Sequence, residues 1–199
     1  GDPKYDIWMT HTPQGAINDN LSGAGAAVHE KFSYCGDSCA MYTHCGTHID
    51  TLNHYGYHGE IWNGYTVEDH LGARHWHVCG AEHHPPIVAR GVLIDVAGAK
   101  GVDMLPDSFA IGPDELREAL DRQGSRVLPG DVVFVRTGRM TVWPDNDRYL
   151  PDEPGLNRAG AEMLAQAGAI VIAGDSVGLE QFPSSDPENW VPVHTYLIA

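Results

Sequence analysis

The chain has 199 residues and a formal net charge of −15, which argues against nucleic acid and anionic membrane surfaces as partners, because both require basic patches. A hydrophobic content of 42 % is enough to build a core, while 23 Gly and 13 Pro require many turns and irregular connections. No apolar run approaches the length needed to span a bilayer. Residues 1–43 read as loops and edge strands with short apolar pieces at Tyr5–Met9 and Ala40–Tyr42, and residues 1–31 as an irregular N-terminal segment. Residues 44–86 hold nine of the twelve histidines and many glycines without a helical period, so loops and short strands are expected there.

From residue 91 the pattern becomes regular. The run Gly91-Val92-Leu93-Ile94-Asp95-Val96 is apolar and β-branched and predicts a buried strand. A helix is expected over 113–123. Pro113 suits its first position, Asp114 and Glu115 complement the dipole, Leu116 and Leu120 share a face, and Gly124 can cap the end. Pro129-Gly130 turns the chain into a strand over Asp131–Arg136. A second helix over 157–167 takes Asn157 as N-cap, with Ala161 and Leu164 facing inward, and leads to the strand Ala169–Ala173. This alternation predicts an α/β core, and with no repeat or clear linker, residues 1–199 read as one domain.

The run from His44 to His54 carries the strongest chemical signal. His44, His48, Asp50 and His54 are spaced His-x3-His-x-Asp-x3-His. Neutral imidazole nitrogens and carboxylate oxygens are common ligands for Zn, Mn and related divalent ions. Gly46 and the β-branched Thr47 and Ile49 favour a turn or strand edge, with His48 and Asp50 on one side of an extended segment. Three protein ligands leave open positions for water and substrate, the arrangement of catalytic metal sites. His54 lies close enough to act as a proton shuttle, since imidazole titrates near neutral pH.

Other constellations support different chemistry. Gly174-Asp175-Ser176-Val177-Gly178 fits Gly-x-Ser-x-Gly and precedes Asp186 and His194, the chain order of an α/β-hydrolase triad with Ser176 as nucleophile. No helical pattern follows Ser176, however, and the three residues are crowded into a short Pro- and Ser-rich stretch, so Asp175 and Ser176 are expected at a strand end, lining the pocket. Cys35 and Cys39 could form a disulfide, contribute to a structural Zn site in a non-catalytic metal-binding protein, or be small side chains; with Cys45 and Cys79 they are expected to be reduced thiols in a cytoplasmic protein. Trp62 and Trp190 are candidates for stacking on a flat substrate or for core packing.

The segment His44-Cys45-Gly46-Thr47-His48-Ile49-Asp50 followed by His54 resembles the His-x-Gly-Thr-His-x-Asp-x3-His motif of the cyclase family of metal-dependent hydrolases, which includes kynurenine formamidases and isatin hydrolases. His58-Gly59 with Asn63-Gly64, Arg90 to Asp95, Pro129-Gly130-Asp131, Arg136-Thr137-Gly138, Pro154-Gly155-Leu156, Gly174-Asp175-Ser176 and Pro192-Val193-His194 follow in the family's order, so the resemblance covers residues 32–199. It implies a swivelling β/β/α-type fold, with a mixed sheet or barrel-like core flanked by helices, and hydrolysis of an amide or formamide C–N bond in a small molecule. It also implies Zn or Mn held by His44, His48 and Asp50, with His54 as general acid/base, His194 as a further ligand, and a homodimer. Family members with two metals take one more ligand, a Glu, at a position beyond Ala199, so a chain lacking its C-terminal end is expected. Thr51-Leu52-Asn53 departs from the formamidase pattern and favours the isatin-hydrolase side.

Overall fold

The computed structural model describes residues 4–32 and 34–199; residues 1–3 and 33 lie outside the described residues. The chain divides into two compact units, Gly1–Ile49 and Asp50–Ala199. In the first unit, β1 (Asp6–His11) pairs antiparallel with β2 (Gly36–Ala40), and α1 (Pro13–Asn18) and α2 (Ala26–His29) lie between them in sequence. The apolar piece at Tyr5–Met9 thus falls largely in an edge strand, as expected, while the segment expected to be irregular also holds two short helices. Its strand is stabilised by a partner some thirty residues away, a pairing that a local pattern cannot report.

The second unit opens with the small pair β3 (Glu60–Ile61) and β4 (Tyr65–Thr66), followed by α3 (Val67–His70). Its centre is a parallel three-stranded sheet in the order β5-β7-β9: β5 (Gly91–Asp95), β7 (Val132–Arg136) and β9 (Val171–Gly174). The register sets Val92 opposite Val133 and Val133 opposite Ile172. Between β5 and β7 lie α4 (Val96–Ala99), β6 (Ala110–Ile111) and α5 (Pro113–Gln123); between β7 and β9 lie α6 (Asn146–Tyr149), β8 (Gly155–Leu156) and α7 (Arg158–Gln166). β6 and β8 form a second parallel pair. The last helix is α8 (Pro192–Ile198). Among the described residues the architecture is thus mixed α/β with one three-stranded and three two-stranded sheets. Of the mixed sheet or barrel-like core that the resemblance implies, no barrel is formed: among the described residues no sheet closes on itself.

The predicted helices form where their end signals lie. In α5 the Glu115 carboxylate accepts the Gly112 N–H at 3.0 Å, and Gly124 ends the helix at φ 61°. In α7 the Asn157 side chain accepts the Gly160 N–H at 2.9 Å. Their apolar faces, Leu116 and Leu120 from α5 with Ala161 and Leu164 from α7, pack on Val92, Ile94, Val133 and Val135. β5 is not buried on both faces as its composition predicts. Val92 and Ile94 are buried, but Leu93 is 52 % exposed and its register partner Phe134 46 %. The strand also ends one residue early, because the Asp95 carboxylate accepts the Gly98 N–H at 2.9 Å and starts α4.

No helix among the described residues is long and apolar enough to cross a membrane. Ion pairs tie the sheet to its surroundings. Arg90 donates to both oxygens of the nearly buried Asp131, at 2.9 and 2.5 Å, and Arg136 donates to Asp95 at 2.6 Å. The Arg90 guanidinium holds the Asp131 carboxyl below the usual Asp range, helped by the Leu128 N–H. A depressed native pKa stabilises the fold above the unfolded value, about 3.9, and that stabilisation is lost as pH falls through the native value. Denaturant midpoints measured from pH 7 down to 3 are therefore expected to fall, and Arg90→Met is expected to flatten that fall while lowering the midpoint at pH 7.

Candidate metal centre

The motif lies on turns and bends over residues 43–47 rather than on a helix. Gly46 is the pivot. Its φ of 67° is left-handed, which a side chain would resist, and the reversal lets His48 Nδ1–H donate back to the Gly46 carbonyl at 2.9 Å. That bond fixes the tautomer and leaves the lone pair on Nε2 of His48, which lies 3.2 Å from Nδ1 of His44. The two rings meet edge to face, with centroids 4.8 Å apart. Two nitrogens bound to one tetrahedral zinc would lie about 3.3 Å apart. The ligand atoms of His44, His48 and Asp50 all fall within 4.8 Å of one another, and this is the only such group of three among the described residues. This donor set fits a divalent ion.

Two more histidines face Asp50. His54 Nε2 is 3.9 Å and His194 Nε2 is 3.8 Å from the same oxygen, Oδ2. Their ring centroids are 6.5 Å apart. His54 closes a tight turn through its N–H to the Thr51 carbonyl, and Asn53, in the stretch that departs from the formamidase pattern, reaches the Val78 carbonyl. His194 arrives on the first turn of α8 and stands outside the group of three. Every predicted site residue is therefore found near Asp50 or in its ligand group.

Glu180 was not singled out from the sequence. It is 1 % exposed, its carboxylate accepts the N–H groups of Val193 and His194 at 3.0 and 3.1 Å, and it pairs closely with Nδ1 of His194. Its separation of fourteen residues from His194, across a Pro- and Ser-rich loop, offers no periodic signal; only the fold brings the two together.

The other constellations resolve differently. Asp175 follows β9, as expected, but its carboxylate accepts the Thr137 N–H and hydroxyl at 2.7 Å and the Gly138 N–H at 2.8 Å. It joins two strand ends. Ser176, Asp186 and His194 do not assemble as a triad. His194 pairs with Glu180, Asp186 accepts the Glu188 N–H in its own turn, and residues 175–191 contain no helix. All four cysteines are free thiols, and no cysteine joins a ligand group among the described residues. Trp62 and Trp190 are exposed, not core residues, and Trp190 lies beside Phe182 with ring centroids 6.0 Å apart.

The Cyclase family model matches residues 2–181. The chain belongs to the cyclase family. Its fold is similar to that of a crystal structure described as a novel cyclase, with a TM-score of 0.77 and 26 % identity over 99 % of this chain and 64 % of that one. It is also similar to an isatin hydrolase bound to the product analogue thioisatinate, with a TM-score of 0.61 and 19 % identity over 99 % of this chain and 66 % of the other. Isatin hydrolase A from Ralstonia solanacearum gives a TM-score of 0.59 and 20 % identity over 98 % and 65 %. The chain thus spans about two thirds of the length of these structures. No curated protein sequence matches it.

Within this cyclase-family chain, the resemblance outside the motif is largely structural. Arg90 pairs with Asp131, Asp95 with Arg136, and Thr137-Gly138 with Asp175. For the motif itself, the parent is expected to retain a divalent ion, and His48→Ala and Asp50→Ala proteins are each expected to lose it. By metal analysis after dialysis, the drop should exceed the roughly 10–100-fold cost of losing a residue that merely orients a ligand.

Proposed function

We propose that the protein is a metal-dependent hydrolase that opens an amide-type C–N bond in a small cyclic or aryl substrate, in the manner of an isatin hydrolase or arylformamidase. The observation that carries this reading is the convergence of His44, His48 and Asp50 on one small volume, with His54 facing the same Asp50. Family membership and the fold shared with isatin hydrolases support it.

His44, His48 and Asp50 would hold the ion, Zn or Mn, with His194 as a further donor. When bound, such an ion polarises a carbonyl oxygen and lowers the pKa of water, the two effects that amide hydrolysis needs most. His54 does the proton work. It receives a proton from the attacking water and returns it to the leaving nitrogen, so that the amine departs neutral. At 34 % side-chain exposure it is open to substrate and solvent while remaining next to Asp50.

We further propose that the protein works as a homodimer. The first unit leaves Tyr5, Ile7, Trp8, Met9 and Phe32 exposed, more large apolar surface than a lone small unit usually presents. Light scattering on the eluted protein should give twice the chain mass.

The catalytic assignment is tested by His54→Ala. Turnover of isatin-like lactams or formanilides should fall by about 100–10,000-fold, the usual range for loss of a general acid/base, with metal content near the parent's. Loss of metal together with activity would reassign His54 as a ligand. A parent that binds metal but hydrolyses no lactam, formanilide or lactone would make this a non-catalytic metal-binding protein.

A further inference from the structure

Glu180 is a buried carboxylate that the chemistry above does not use. Burying such a group is costly unless donors converge on it. Here three do: the N–H groups of Val193 and His194, in the first turn of α8 where helical N–H groups lack intrahelical partners, and Nδ1 of His194. We propose that Glu180 is a positioning residue, whose carboxylate holds His194 as the Nδ1–H tautomer and turns Nε2 toward Asp50. Its purpose, though not its geometry, rests on the metal-hydrolase reading.

Donor and acceptor capacity decides which ring nitrogen of His194 carries the proton. An ionised carboxylate only accepts, so the ring nitrogen against it must carry a proton. The neutral imidazole then keeps its lone pair on Nε2. That nitrogen faces Asp50 Oδ2 at 3.8 Å, too far for a hydrogen bond. Two electron-pair donors facing each other at that separation suit a cation between them, and a carboxylate behind the imidazole is the usual way a ligand histidine is oriented and made more basic.

The fold holds Glu180 rigidly enough for this task. The Leu156 N–H donates to the Leu179 carbonyl at 3.1 Å, and the Gln181 N–H donates to the Leu156 carbonyl at 3.0 Å, so β8 grips the chain on both sides of Glu180. The approach is close: a Cβ on Gly155 would lie 2.4 Å from the Glu180 carbonyl carbon. One turn earlier the Glu153 carboxylate accepts the Val177 and Gly178 N–H groups at 2.6 and 2.9 Å. The segment carrying Glu180 is thus clamped before and after it, and His194 is brought to it by α8.

Two measurements test the proposal. The first uses the unaltered, metal-free protein at pH 8. Long-range 1H–15N correlation spectra, with the His194 signals assigned by their loss in His194→Gln, should show protonated Nδ1 and unprotonated Nε2; any other protonation state of that ring overturns the proposal. The second is a double-mutant cycle on Zn affinity, measured by competition with a chelator. Glu180→Gln should weaken binding by about 10–100-fold in the parent and leave it unchanged in a His194→Ala background. Equal losses in both backgrounds would make Glu180 a cap of α8 and nothing more. If Glu180→Gln does not fold, the tautomer measurement decides. A parent that binds metal but has no hydrolase activity would sink the functional reading and leave both of these results intact.

Discussion

A carboxylate is stable inside a protein only where donors converge on it, and in this chain that rule organises the second unit. Much of residues 137–199 is irregular, and loops need something other than a strand ladder to fix them. Asp175 gathers the N–H groups of Thr137 and Gly138, Glu153 those of Val177 and Gly178, and Glu180 those of Val193 and His194. Each acid sits on one segment and captures backbone donors on another. The strong negative charge of the chain is therefore partly architectural. For Glu153 the cost shows directly: burial pushes its carboxyl up from the usual range, against the pull of the Gly178 and Val177 N–H groups.

This arrangement links the sheet to the candidate metal centre. Asp175 fixes the end of β9 to the turn after β7, where a Cβ on Gly138 would come within 2.0 Å of the Asp103 carbonyl oxygen. The loop that leaves β9 is then held by Glu153 and by β8 until it reaches Glu180. From there the carboxylate passes the constraint to α8 and His194. A ring beside Asp50 is thus placed by a chain of backbone bonds that begins in the packed core, which on the proposed reading is what orients it as a metal donor.

Sequence reasoning succeeded where the signal is local. The caps of α5 and α7 are written within four residues of their ends, and the three strands of the parallel sheet are compact apolar runs. The spacing of His44, His48 and Asp50 is also local, and the turn at Gly46 brings the rings of His44 and His48 edge to face. It failed where the outcome depends on a distant partner. β5 is covered on one face only because the helices pack on one face only. The partners of Asp175, N–H groups almost forty residues away, likewise leave no local signal. Glu180 was illegible for the same reason.

The two histidines at Asp50 are nearly equidistant from it, so distance alone cannot divide their roles. Exposure and the carboxylate at His194 can. His194 is 18 % exposed, on a helix start, with its Nδ1 against a buried carboxylate. A ring held in that way keeps one tautomer, which suits a donor to a cation and hinders a group that must gain and lose protons at each turnover. His54 is nearly twice as exposed and belongs to a short turn, so its ring can exchange protons with solvent between cycles. On the proposed reading, catalysis needs one imidazole of each kind beside the same carboxylate. The difference between them follows from exposure and from the carboxylate behind His194, not from the motif in which His54 lies.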